Sequence, residues 1–158
     1  MSKKLVEELA QDGIVVVFDV DGVLAPYEWG FRKHCMTNSM WTAILKSGED
    51  MYSRVSPIKI LQEFVKNKNI DDIYVCSKSE DAEYTSKMAF CMREYGIPQE
   101  HVRLVEHKLD KVLFLDELSK KLDIPQNKIV LVEDTVETLD NISKTRDYFT
   151  VHVSSFFD

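Results

Sequence analysis

Asp19 and Asp21 stand two residues apart at the end of an unbroken apolar run, Ile14-Val15-Val16-Val17-Phe18, and Gly22 follows them directly. Two carboxylates at the tip of a strand meet solvent and ligand together, which is the making of an acidic active site. Side chains alternate along a strand, so an extended chain would aim both acids into one space. A glycine at the next position lets the backbone turn sharply. Further reactive groups fall at equivalent places: Ser77-Lys78 after Ile73-Tyr74-Val75-Cys76, Lys111 ahead of a helical stretch, and Glu133-Asp134-Thr135 after Ile129-Val130-Leu131-Val132. In open α/β sheets ligands bind outside the carboxyl ends of the strands, which is where this set lies.

Each group also has a plainer reading. Asp19 and Asp21 could shape a turn or cap a helix. Ser77 and Glu80 have capping-box spacing. Lys111 would sit at a helix N-terminus, where a cation opposes the helix dipole unless an anion is nearby. Lys108 is the alternative to it on helical phase. The histidines His34, His101, His107 and His152 show no metal-ligand spacing and read as surface or packing residues.

The elements that must position these residues alternate along the chain. A short amphipathic helix is expected over Met1–Ala10, followed by the first strand over Ile14–Phe18. Helices are expected from Ser56-Pro57 through Asn67, over Ser79–Tyr95, over Lys111–Leu122 and over Val136–Lys144; strands over Asp72–Cys76, Val102–Val105, Lys128–Val132 and Phe149–Val153. In the Ser79–Tyr95 helix, Tyr84, Met88, Cys91 or Met92, and Tyr95 recur at helical spacing. Strands joined by crossover helices call for a parallel sheet. Ile14–Phe18 and Ile129–Val132 are continuously apolar and belong in its centre as neighbours, whereas Arg103, Thr150 and His152 mark edge strands. The segment from Ala25 to Val55, with Tyr27, Trp29, Phe31, His34, Trp41 and Tyr52, fits no such unit. It reads as a flap or small cap containing a helix over Thr37–Lys46, or as a stretch whose aromatics pack onto the core.

At 158 residues and 44% hydrophobic content, the chain suits one domain with a single core. Its net charge of -7 disfavours a nucleic-acid polymer as partner. Cys35, Cys76 and Cys91 are odd in number and show no CxxC spacing, which supports neither a disulfide framework nor a zinc knuckle and points to a reducing cytoplasm. No apolar run approaches membrane-spanning length. No cysteine-phosphatase loop, GxxxxGK or GxGxxG is present.

From about Ile14 to Val153, excluding the segment after Ala25, the chain resembles the haloacid dehalogenase superfamily of aspartate-based phosphohydrolases. Asp19-Val20-Asp21-Gly22-Val23-Leu24 resembles its first motif, the strand ending in Ser77 its second, Lys111 with its helix the third, and Glu133-Asp134 the acidic fourth. The resemblance implies a three-layer, Rossmann-like α/β fold with five strands in order 3-2-1-4-5, in agreement with the strand polarity. It also implies a magnesium-dependent phosphatase in which Asp19 attacks phosphorus to form an aspartyl-phosphate and Asp21 acts as acid and base. Ser77, Lys111 and the turn at Gly22 would bind the phosphate, and Asp19, Asp21 through its backbone carbonyl, and Asp134 would bind the metal. The fourth motif departs from the commoner glycine-aspartate form and has Thr138 where an aspartate is usual, so that either Glu133 or Glu137 compensates or the metal shell is weaker.

A cation is expected on electrostatic grounds as well, because two carboxylates about 4 Å apart repel by roughly 4 kcal/mol at an effective dielectric of about 20. Magnesium suits such a hard oxygen site. The expected partner is a small phosphorylated metabolite or nucleotide, with cover for a small cap coming from a bulky substrate or from a second copy of the chain in a homo-oligomer. Two other readings stand: a receiver-like, phosphate-responsive regulator, and a family member that has lost turnover and acts through partners.

Overall fold

The computed structural model describes residues 2–26 and 37–157. Tyr27, Trp29, Phe31, His34 and Cys35 lie outside the described residues, so the first part of the expected flap is not considered further. Among the described residues no helix is long and apolar enough to cross a membrane.

Five strands form one parallel sheet: β1 (Val15–Phe18), β2 (Ile73–Lys78), β3 (Val102–Val105), β4 (Ile129–Glu133) and β5 (Phe149–His152), in the order β3-β2-β1-β4-β5. Val17 pairs with Tyr74 of β2 and with Leu131 of β4, so β1 is central and β1 and β4 are neighbours, as the apolar runs require. The helices are α1 (Ser2–Leu9), α2 (Asn38–Ser47), α3 (Lys59–Asn67), α4 (Tyr84–Tyr95), α5 (Asp110–Leu122) and α6 (Val136–Thr145).

Alternation along β1 divides the core into two layers. Val16 and Phe18 pack with Leu61 and Phe64 of α3 and Phe90 of α4, while Val15 and Val17 pack with Leu115 and Leu118 of α5 and Ile142 of α6. Phe18 meets Phe64 edge-on at 6.1 Å. Full burial of such a side chain stabilises by about 1.5–3 kcal/mol, which holds the strand that carries Asp19 rigidly in the middle of the sheet. β3 and β5 are the edge strands, as strand polarity predicted, with Arg103 exposed and Thr150 and His152 half-buried.

Several element boundaries differ from expectation, for local reasons. β2 runs on through Ser77 and Lys78, which pair with Leu104 and Val105 of β3. A 3-10 turn, Asp81–Glu83, then precedes α4. The inward face of α4 is Lys87, Phe90, Cys91 and Tyr95, with Glu83 one turn before it. Tyr84 and Met92, which fit an apolar stripe by spacing, are 46% and 52% exposed. The stripe is rotated because a charged pair, and not an apolar one, occupies the inner phase. In the insertion, Thr37 caps α2 through the Met40 N–H, Gly48 ends it at φ 73°, and a 3-10 turn over Met51–Arg54 returns the chain to the core.

Candidate active site

The site is assembled where β1 gives way to a tight turn. The Asp19 N–H still donates to the Val132 carbonyl at 3.0 Å, extending the ladder by one residue. The chain then folds back, with the Ala25 N–H on the Val20 carbonyl and the Gly22 N–H on the Ala25 carbonyl, both at 2.8 Å. Gly22 adopts φ 77°, a left-handed conformation that favours glycine. Its N–H is therefore taken by the turn and is not directed to a phosphate.

This turn sends the two acids to opposite layers. Asp19 Oδ2 lies 3.1 Å from Lys111 Nζ, at the start of α5. Asp21 Oδ2 instead accepts a hydrogen bond from Lys87 Nζ of α4 at 2.8 Å, and its Oδ1 accepts one from the Tyr52 hydroxyl at 2.6 Å. Strand alternation thus does not govern Asp21, which lies beyond the end of β1. Each acid has its own fully buried lysine, one from each helical layer.

Around Asp19 the charges are tightly matched. Lys111 Nζ donates to Glu133 Oε2 at 2.5 Å, while Glu133 Oε1 accepts the N–H groups of Asp134 and Thr135 at 3.1 and 3.2 Å. Burial works to raise the Asp19 carboxyl, but the Lys111 ammonium and hydrogen bonds, including one from the Val20 N–H, hold it below the usual carboxylate range. Burial and the nearby Asp19 charge push Glu133 up to about 8. Burial alone would lower the Lys111 ammonium, but Asp19 and then Glu133 outweigh it and hold it above its ordinary value. The anion that makes a lysine favourable at this helix start is thus present twice over. Lys108 is exposed at the rim, 3.2 Å from the Thr135 hydroxyl.

Ser77 is buried in β2 and lines the cleft with Asp19, Asp21 and Asp134. It caps no helix: the capping contact runs from the Glu80 N–H to Glu83 Oε1 at 2.9 Å. Asp134 is half-buried, accepts the Thr135 hydroxyl at 3.3 Å, and has no cationic partner among the described residues. Its backbone carbonyl lies 3.1 Å from His152 Nε2, so His152 braces the loop instead of serving only as packing. Glu137 is exposed and Thr138 is buried, and neither brings a carboxylate to the site.

Carboxylate oxygens of Asp19, Glu133 and Asp134 lie within 4.8 Å of one another. Counting Asp21 and Glu83, five carboxylates face two buried ammonium groups, those of Lys87 and Lys111. An acid without a cationic partner beside an excess of hard oxygen donors fits a divalent ion of the magnesium type. The cleft above is 630 Å³ and is walled by Asn38, Trp41 and Thr42 of α2 opposite Lys108 and Thr135.

The two described cysteines are shut away. Cys76 and Cys91 are buried, and burial pushes both thiols up to about 12. His101 is occupied by stacking on Tyr74 at 4.4 Å. Sequence reasoning did not identify Lys87, Tyr52 or His152. The spacing of Glu83 and Lys87 reads as an ordinary solvated helix pair, and only the packing shows Lys87 to be inward.

No known family profile matches the chain, and no curated protein sequence matches it. Among solved structures, a 3-deoxy-D-manno-octulosonate 8-phosphate phosphatase from Moraxella catarrhalis, in complex with magnesium, phosphate and KDO, aligns at TM-score 0.43 and 18% identity over 88% of this chain and 67% of its own. A protein from Vibrio cholerae, provisionally assigned to the same phosphatase, aligns at 0.46 and 13% over 96% and 83%. Likenesses this weak carry no functional argument; the strand order rests on the register above, and the site on its own geometry.

Proposed function

We propose that the chain is a magnesium-dependent phosphatase of the haloacid dehalogenase type, acting on a small phosphorylated metabolite or nucleotide. The observation that carries this reading is the separate provision made for the two acids. Asp19 is kept ionised beside Lys111, as a nucleophile needs, while Asp21 is held apart from it on a different set of donors.

Asp19 attacks phosphorus, the ester P–O bond breaks, and the departing alcohol oxygen takes a proton from the Asp21 carboxyl. Water then attacks the aspartyl-phosphate, gives a proton to the Asp21 carboxylate, and breaks the bond to Asp19, releasing phosphate. Dividing the reaction in this way replaces one hard step by two easier ones, and a positioned acid/base contributes about 10²–10⁴-fold. Ser77 and Lys111 hold phosphoryl oxygens. Asp19, Asp134 and the backbone carbonyl of Asp21 would hold magnesium, which supplies charge for the phosphoryl oxygens when bound. Glu133, with both oxygens engaged, braces Lys111 and the Asp134 loop. Lys108 and Lys78 at the rim complement a second anionic group on the substrate, and Trp41 contributes a flat apolar wall.

The receiver-like reading falls on topology: receiver domains have strand order 2-1-3-4-5, whereas this sheet is 3-2-1-4-5. Incubation with magnesium and a panel of phosphomonoesters tests the proposal. Phosphate release by the wild type, dependent on magnesium and absent in Asp19→Asn, is expected; release equal to that of the variant would leave a binding protein.

A further inference from the structure

Resting on the phosphatase reading, we propose that Lys87 and Tyr52 are positioning residues that aim the Asp21 carboxyl group at the leaving-group oxygen. Lys87 is completely buried, and its ammonium makes three contacts: Asp21 Oδ2 at 2.8 Å, the Lys78 carbonyl at 2.6 Å and Glu83 Oε1 at 3.3 Å. Burying an ammonium is costly, and replacing a whole buried ion pair such as Lys87–Glu83 by apolar side chains of similar volume is often neutral or stabilising. The surroundings would accept such an apolar pair, since Phe90, Cys91 and the Tyr52 ring are neighbours in the same inner layer. The network also leaves Glu83 Oε2 buried without a hydrogen-bond partner, a further penalty to stability. Packing therefore does not account for a lysine here.

Position does account for it. One ammonium ties the turn after β1, through Asp21, to the end of β2, through the Lys78 carbonyl directly after Ser77. The proton donor and the phosphate-binding serine are thereby held in one frame. Tyr52 fixes the other oxygen of Asp21 from a third direction. Its ring packs on Phe90 at 5.7 Å, its N–H is held by Asp50 at 3.0 Å, and its carbonyl accepts from Arg93 at 2.9 Å, so the hydroxyl arrives from a rigid element. Asp21 sits in a turn with no ladder to orient it. Two donors on its two oxygens, from two elements, leave its side chain a single orientation, with the remaining lone pairs toward the cleft it lines. Small displacements at such a group are expensive in rate.

The test separates positioning from stability by the leaving group. An activated aryl ester, p-nitrophenyl phosphate, departs without help from an acid, whereas an alkyl phosphate requires one. Tyr52→Phe keeps the ring packing and removes one hydrogen bond; Lys87→Met removes the ammonium. The kcat ratio of the best alkyl phosphate of the panel to p-nitrophenyl phosphate should fall about tenfold in Tyr52→Phe and about a hundredfold in Lys87→Met, with KM little changed. If Lys87→Met does not fold, as thermal unfolding would show, Tyr52→Phe decides alone. An equal loss on both esters in a folded variant, or an unmoved ratio beside an active wild type, overturns the positioning role. Wild-type release no greater than that of Asp19→Asn on either ester overturns the phosphatase reading, and this role with it.

Discussion

Replacing Lys111 by methionine removes the cation that touches both Asp19 and Glu133 and leaves two buried carboxylates facing each other. Taking one partner from a buried ion pair costs about 3–5 kcal/mol. Burial and the Asp19 charge already raise Glu133, and losing the ammonium that holds it down lets this carboxyl keep a proton more firmly, which moves the expected loss toward about 3 kcal/mol near neutral pH. For a chain of this size each kcal/mol lowers Tm by about 2–4 °C, so Lys111→Met should melt about 6–12 °C below the wild type in metal-free buffer. Two comparisons tie the loss to charge. The double variant Lys111→Met/Glu133→Gln should recover about 0.5–3 kcal/mol relative to additivity. Magnesium should stabilise Lys111→Met more than the wild type, because it meets an Asp19 that has lost its ammonium partner; saturation at about 100 times Kd adds about 2.7 kcal/mol to any state that binds it. Urea unfolding of the four proteins, with and without magnesium, measures all of this. A loss below about 1 kcal/mol, or strictly additive singles, would refute the claim that Lys111 is bound into a desolvated charge cluster.

Asp134→Asn should raise the magnesium concentration for half-maximal phosphate release by at least about tenfold, read from a metal titration; an unchanged midpoint would remove Asp134 from the ligand set. Trp41→Ala should shift relative KM values across the phosphomonoester panel while leaving that midpoint in place, and unchanged kinetics would count against a substrate wall on α2. Asp116 accepts Arg146 at 3.0 and 3.1 Å and the Tyr148 hydroxyl at 2.6 Å; hydrogen bonding from Arg146, ahead of partial burial, holds its carboxyl below the ordinary range. A folded value below the unfolded one stabilises above the ordinary carboxylate range and loses that effect as pH falls through the lowered value. The stability gap between wild type and Asp116→Asn should therefore be full above the ordinary carboxylate range and narrow as pH falls below it, and a gap that does not change through acid pH would contradict the assignment.

The fold was legible because the two central strands are buried on both faces and read as continuous apolar runs, whereas Arg103 and His152 mark the edges. That Ser77, Lys111 and Asp134 would come together near Asp19 was legible because a parallel sheet gathers its strand ends on one side. Lys111 even announced itself, since a lysine at a helix start needs an anion. Lys87 was hidden for a physical reason: a charged residue on the inner phase of a helix defeats a reading in which burial follows hydrophobicity, and its partner Asp21 is 66 residues away. Tyr52 looked like one aromatic among several in the insertion, because its contact with Asp21 depends on tertiary return of the chain through the Met51–Arg54 turn. Asp19 and Asp21 do line one cleft, but the partners of Asp21 in the α4 layer were not legible, for a related reason. Alternation holds only while the ladder lasts, and Asp21 belongs to the turn that Gly22 permits.

The central claim is that Asp19 becomes phosphorylated while Asp21 moves the protons. It is tested most directly in Asp21→Asn with p-nitrophenyl phosphate and magnesium, where the second step is slowed and the first is not. Acid quenching followed by peptide mass spectrometry should find a hydroxylamine-labile phosphoryl group on the peptide containing Asp19, at close to one per chain and matched by a burst of nitrophenol. A phosphoryl group on any other residue, or steady phosphate release with no covalent species, would contradict it.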